Sequence, residues 1–191
     1  MRISPFTVVY DACVLYPAPL RDFLMWLALS GCFSARWSER IHGEWKRNLL
    51  KNRPDLMQAQ LDRTSALMDA AVPDCLVRGY EKLMPGLTLP DPDDRHVLAA
   101  AIRCGASVIV TFNVRDFPAE ALREFAIEAQ HPDEFTENLF DLDREAVLAA
   151  ARHQRVQLSN PAIGIERYLD ILRRQGLPRT VDALAVYRCL L

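Results

Sequence analysis

The chain has 191 residues, half of them hydrophobic, with 23 basic against 25 acidic side chains and a formal net charge of −2. That is apolar material for one proper core, and the near-neutral balance excludes a protein that holds nucleic acid by overall charge alone. Five scattered cysteines, with no Cys-x-x-Cys pair, exclude a disulfide framework and a structural zinc site and point to a reducing compartment.

In chain order, the β-branched and aromatic run Phe6–Tyr10 predicts a buried strand with Asp11 at its carboxyl end. Leu20, Phe23, Leu24 and Leu27 recur at helical spacing, with Gly31 as a stop. Phe33 to Trp37 predicts a second strand. Ser38 is then the N-cap of a helix through Ile41, Trp45 and Leu49, and a further helix is expected from Pro54 to about Ala70. The Pro- and Gly-containing stretch 72–92 reads as a short helix plus loop. Asp93 or Asp94 opens a helix carrying Val97, Leu98, Ala101 and Ile102, which Gly105 ends. Ser107 to Phe112 is the clearest strand, and 119–125 and 126–130 read as a helix and a last strand. Strands alternating with amphipathic helices predict an α/β fold, a parallel sheet sandwiched by helices, with its site at the carboxyl ends of the strands.

Beyond His131-Pro132 the strand signals stop. A helix is predicted over 143–154, another starting at Asn160-Pro161 with Ile165, Tyr168, Leu169 and Leu172 on one face, and a last one capped by Thr180. The division expected is an α/β domain over 1–135 and a helical extension over 136–191. The first ten residues lack a signal-peptide pattern, and no run approaches the roughly 18–20 apolar residues of a spanning helix, so a cytoplasmic protein with no membrane partner is expected.

Four acids stand out: Asp11, Glu44, Asp94 and Asp116. Three or four carboxylates converging after strands suit a hard divalent cation, which can polarise a phosphoryl oxygen and activate water. Each also has a plainer reading. Asp11 and Asp116 follow strands, where turn and cap residues gather; Glu44 falls on an amphipathic helix; Asp91-Pro-Asp-Asp94 is turn and N-cap chemistry.

The pieces VVYDACVL at 8–15, SERIHGE at 38–44, DRHVLAAA at 94–101 and VTFNVRDF at 110–117 occur in that order. Together they resemble the PIN-domain ribonucleases, a family that includes the VapC-type toxins of toxin–antitoxin pairs, over roughly residues 5–135. A helical C-terminal extension follows. The resemblance implies that Asp11, Glu44, Asp94 and Asp116 bind Mg2+ or Mn2+ and act in catalysis, with Thr111 and Asn113 as supporting polar groups. Some members carry an acid at the position of Asn113, so the fourth ligand stays open between Asn113 and Asp116. Asp91 is a candidate extra acid, or a turn-former. The sequence departs from the family where Ser or Thr and then Asn often follow the first Asp: here Ala12 and Cys13 stand, so a supporting polar group is missing or replaced.

The resemblance further implies an endoribonuclease, a hydrolase cutting structured RNA such as tRNA, paired with a small antitoxin and forming a homodimer. The stretch 36–53 carries six basic residues against Glu39 and Glu44. Arg40, Lys46 and Arg47 are therefore candidate RNA contacts, with a solvated helix face as the alternative. His42 and His96 read as surface or supporting residues, and Trp26, Trp37 and Trp45 as packing anchors. The competing reading is a catalytically degenerate PIN module that binds RNA or a protein without cleaving. A flap-type DNA nuclease is a third, against which the chain lacks room for the necessary extensions.

Overall fold

A computed structural model describes residues 6–158 and 161–191. Four parallel strands form one sheet: β1 (Thr7–Tyr10), β2 (Ser34–Arg36), β3 (Val108–Val110) and β4 (Glu128–Gln130), in the order β2-β1-β3-β4. Val9 pairs with Arg36 on one side and Ile109 on the other, and Ile109 pairs with Ala129. Val8, Val9, Tyr10 and Ile109 are fully buried, as expected for strands covered on both faces.

Ten helices surround the sheet among the described residues. Those of the first half are α1 (Ala12–Leu15), α2 (Ala18–Leu29), α3 (Glu39–Asn52), α4 (Gln58–Ala71), α5 (Arg95–Cys104) and α6 (Ala119–Leu122). They are followed by α7 (Pro132–Leu142), α8 (Arg144–Gln157), α9 (Ile165–Arg174) and α10 (Pro178–Val186). Helix α5 packs on β1 and β3. Tyr10 reaches from the sheet to α2, its hydroxyl donating to the Leu24 carbonyl at 3.1 Å. Leu20, Phe23, Leu24 and Leu27 are buried along α2, as their spacing predicts.

Several boundaries differ from expectation for identifiable reasons. The helix expected from Pro54 begins at Gln58 instead. Arg53 pairs with Asp55 through two hydrogen bonds, and Gln60 Oε1 accepts from the Met57 N–H at 2.9 Å, which caps the helix one turn later. Helix α7 was not predicted. Its start is a His-Pro pair with Asp133 and Glu134 in the first turn, and His131 Nδ1 accepts from the Asp133 N–H. Thr180, expected to cap the last helix, lies inside it. The capping group is Asp133, whose carboxylate accepts from the Arg179 N–H at 3.0 Å, the Thr180 N–H at 2.9 Å and the Thr180 hydroxyl at 2.8 Å. The start expected at Asn160 lies outside the described residues; α9 opens at Gly164.

The helices beyond residue 131 pack on the same core as the sheet. Helix α8 runs along α2, with Trp26 stacked on His153 at 5.1 Å. Gln154 donates to the Pro19 carbonyl and accepts from the Tyr168 hydroxyl, a buried polar tie between α2, α8 and α9. Phe33 meets Phe135 edge-on, joining α7 to the sheet. At the other end of the segment, the α9–α10 turn approaches β3: a Cβ at Gly176 would lie 3.4 Å from the Phe112 ring. Gly176 sits at φ 81°, a left-handed conformation suited to glycine. Among the described residues no helix is long and apolar enough to cross a membrane.

Candidate active site

Parallel pairing puts the carboxyl ends of β1 and β3 side by side, so Asp11 and Thr111, 100 residues apart in sequence, meet there. Asp11 is 3% exposed. Its Oδ1 caps α1 by accepting from the Ala12 N–H, and its Oδ2 accepts from the Thr111 hydroxyl at 2.7 Å. Burial pushes its pKa up, and the charge of Glu44 adds to the rise, while these hydrogen bonds oppose it.

Cys13 resolves the departure noted in the sequence. Its thiol donates to Asp11 Oδ2 at 3.1 Å, lies 3.3 Å from Thr111 Oγ1, and accepts from the Phe112 N–H at 3.2 Å. A supporting polar group is therefore replaced rather than missing. Burial first, then the Asp11 charge, pushes this thiol far up, which keeps it protonated and able to donate. Thr111 Oγ1 also accepts from the Asn113 N–H at 3.0 Å, so one hydroxyl organises both the first acid and the loop after β3.

Glu44 comes from α3, whose rotation about its axis is set by its buried face. Ser38 Oγ caps the helix at Ile41, and Ile41, His42 and Trp45 turn inward. Asp69 Oδ1 accepts from Trp37 Nε1 at 2.7 Å and lies 2.9 Å from His42 Nε2, while Trp45 Nε1 donates to His42 Nδ1 at 3.0 Å. That pattern requires the proton of His42 on Nε2. Burial lowers the pKa of this imidazole, with Asp69 opposing. Trp37 and Trp45 are core anchors, as read from sequence, and His42 is a buried member of their network rather than a surface group. With that face buried, Glu44 points toward α5, where its Oε2 lies 3.1 Å from His96 Nε2. His96 is 1% exposed, so it too is no surface residue.

Asp94 stands at the amino end of α5 and makes no side-chain cap bond. Its pKa is pushed up to about 7, by burial first and then by the charges of Asp11, Asp91, Asp116 and Glu44. All four carboxylates therefore act on one point. Asp91 fills its plainer role at the same time, accepting from the Asp93 N–H at 2.8 Å to form the turn. Asp116 ends the 3-10 turn Val114–Asp116 and is half-buried, whereas Asn113 is exposed.

The donor set is oxygen throughout, which fits a hard divalent cation that keeps several of its waters. Among the described residues no three His, Cys, Asp or Glu side chains are drawn tightly enough together to grip an ion by themselves.

The basic candidates separate. Arg40 and Arg47 are exposed and share the α3 face of Glu44, at helical spacing, and Arg47 lies back across Gly43. Lys46 turns the other way and ties α3 to α4 through Asp62 at 2.8 Å and Ser65 at 3.3 Å. Sequence reading left open whether the polar group after Asp11 is missing or replaced and whether His96 is a surface or supporting residue, and it did not give the hydrogen bonds of Cys13 or the Glu44–His96 pair. A thiol gives no motif signal of hydrogen bonding, and 52 residues separate the members of the pair.

Comparison with known proteins gives the family of the chain. The PIN domain matches residues 7–115, a span that holds Asp11, Glu44, Asp94, Thr111 and Asn113 and ends one residue before Asp116. The VapC50 C-terminal domain matches residues 132–186. A putative ribonuclease VapC50 of Mycobacterium tuberculosis is 43% identical over 82 residues, which are 43% of this chain and 48% of the relative, so the match spans about half of that protein's length. No solved structure matches. With the PIN domain covering more than half of its length, the chain belongs to the PIN-domain family.

Proposed function

We propose that this protein is a divalent-metal-dependent endoribonuclease, the toxin of a toxin–antitoxin pair, that hydrolyses RNA phosphodiester bonds. The observation that carries the reading is the half-buried Asp94 carboxylate at the strand ends, whose charge is penalised by burial first and then by the charges of Asp11, Asp91, Asp116 and Glu44, a penalty that a cation among them would relieve. The description of the relative as a ribonuclease supports the reaction class. In this reading Asp11, Glu44, Asp94 and Asp116 hold Mg2+ or Mn2+, and Asp91 deepens the negative field. When bound, such an ion supplies Lewis acidity toward the phosphate and an activated water.

The protein's own part is placement. Thr111, Cys13 and the Ala12 N–H pin Asp11, and Thr111 carries the Asn113 loop with it. No side chain is needed as general base: His42 is committed to Asp69 and Trp45, and His96 to Glu44. Arg40 and Arg47, beside Glu44, would meet the RNA backbone. Structured RNA such as tRNA, a small antitoxin, a homodimer and a cytoplasmic location belong to the same proposal.

The test is cleavage of total RNA by the purified protein with Mg2+ or Mn2+, blocked by EDTA. Asp11→Asn and Asp94→Asn should each abolish it with the circular dichroism spectrum unchanged. Metal-dependent cleavage retained in both variants would overturn the assignment. RNA bound but never cut, with either metal, would select the degenerate module instead. A missing polar group after Asp11 would favour that reading, and the Cys13 thiol bonded to Asp11 speaks against it.

A further inference from the structure

Within the ribonuclease reading, we propose that His96 is a positioning residue, whose Nε2–H holds the Glu44 carboxylate in its metal-binding place. The ring sits on the buried face of α5, beside Val97, Ala99 and Ala100, all fully buried. Its Nε2 is 3.1 Å from Glu44 Oε2, while its Nδ1 is buried with no hydrogen-bond partner. Those two facts decide the tautomer. A proton on Nδ1 would strand a buried donor and set a bare Nε2 lone pair against the carboxylate. A proton on Nε2 leaves only one unused acceptor and makes the bond.

A buried imidazole with one orphan nitrogen is a poor way to fill space that Leu could fill. Its use lies in the other nitrogen. Glu44 has a long, flexible side chain, one-third exposed, and the negative charges of Asp11 and Asp94 repel it toward solvent. Among the described residues, His96 makes the one hydrogen bond that holds the Glu44 carboxylate back. The bond engages one oxygen and leaves Oε1 for an ion. Asp11 is pinned by three donors, from Ala12, Cys13 and Thr111; Glu44 is pinned by this one. Outer partners that orient a ligand in this way typically govern metal affinity by about 10–100-fold.

The experiment combines Mn2+ titration of the full chain by electron paramagnetic resonance with long-range 1H–15N spectra of the metal-free protein. The spectra should show the His96 proton on Nε2, with its signals moved by Glu44→Gln. His96→Leu should weaken Mn2+ binding about tenfold or more. His96→Gln, whose amide N–H can reach the same oxygen, should restore most of the affinity and keeps the test open if the Leu variant fails to fold. In a Glu44→Gln background His96→Leu should cost nothing further, because the two residues act as a unit. A proton found on Nδ1, additive losses in the double variant, or no rescue by Gln each overturn the proposal. A wild-type protein that neither binds Mn2+ nor cuts RNA, with the Nε2 proton in place, overturns the ribonuclease reading itself and the positioning role with it.

Discussion

Removing the charge at Asp94 should make the metal-free protein more stable while destroying its activity. Asp94 rises from an ordinary 3.8 to about 7 in the folded chain, so the native state binds the extra proton between those values. The sign follows. Asp94 costs nothing below about pH 4, stability is lost as pH climbs toward 7, and the loss is complete above that. The difference corresponds to roughly 4 kcal/mol at ~1.4 kcal/mol per pH unit as a ceiling. Asp94 is only half-buried, so solvent screening reduces this to about 1–2 kcal/mol. Asp94→Asn gives up no side-chain cap bond, and the lost attraction of a carboxylate to the α5 amino end, about 0.3–1 kcal/mol, is smaller. The net gain is about 0.5–1.5 kcal/mol, so thermal unfolding in EDTA at pH 8 should place Asp94→Asn about 1–6 °C above the wild type, at ~2–4 °C per kcal/mol for a chain of this size. The gap should close near pH 4. Added Mn2+ should reverse the order at pH 8, because the ion stabilises only the protein that binds it. Equal melting temperatures of Asp94→Asn and the wild type at pH 8 in EDTA would refute the claim that burial and the neighbouring acids penalise the Asp94 charge.

Other expectations follow from single contacts. Cys13→Ser should keep most RNA cleavage and Cys13→Ala should lose about tenfold, since only the first retains a donor for Asp11; equal rates in assays under reducing conditions would deny the thiol its role. Iodoacetamide should label exposed Cys189 well before Cys13, read by peptide mass spectrometry, because Cys13 is held as the thiol. Asp133→Ala should lower urea stability by about 2–4 kcal/mol, because three donors at the start of α10 lose their acceptor in a buried place. Replacing Arg40 and Arg47 together by Ala should weaken RNA binding across sequences and reduce the slope of log affinity against log salt by about 1–2. Lys46→Ala should leave that slope unchanged, since Lys46 is spent on Asp62 and Ser65.

Local rules made much of this molecule legible from its residues. The β-branched runs at β1 and β3, the apolar stripe of α2, Ser38 as a cap and Gly105 as a left-handed stop depend on neighbours within a few positions. Spacing marked the acids only as candidates, and the family resemblance is what singled them out. What no local rule carries is contact between segments far apart in the chain. Helix α7 was missed because an N-cap histidine is an unusual signal, and the start of α4 moved because the Arg53–Asp55 pair makes its own turn. The α10 cap came from Asp133, 46 residues earlier, rather than from Thr180. Sequence alone placed Asp11, Glu44, Asp94 and Asp116 on the right kinds of element. Only the tertiary structure decided that Cys13 supports the first of them, that a buried tryptophan–histidine–aspartate network turns Glu44 toward His96, and that four charges meet at Asp94. Packing and long-range electrostatics set those relations, and neither is encoded in the spacing of neighbours.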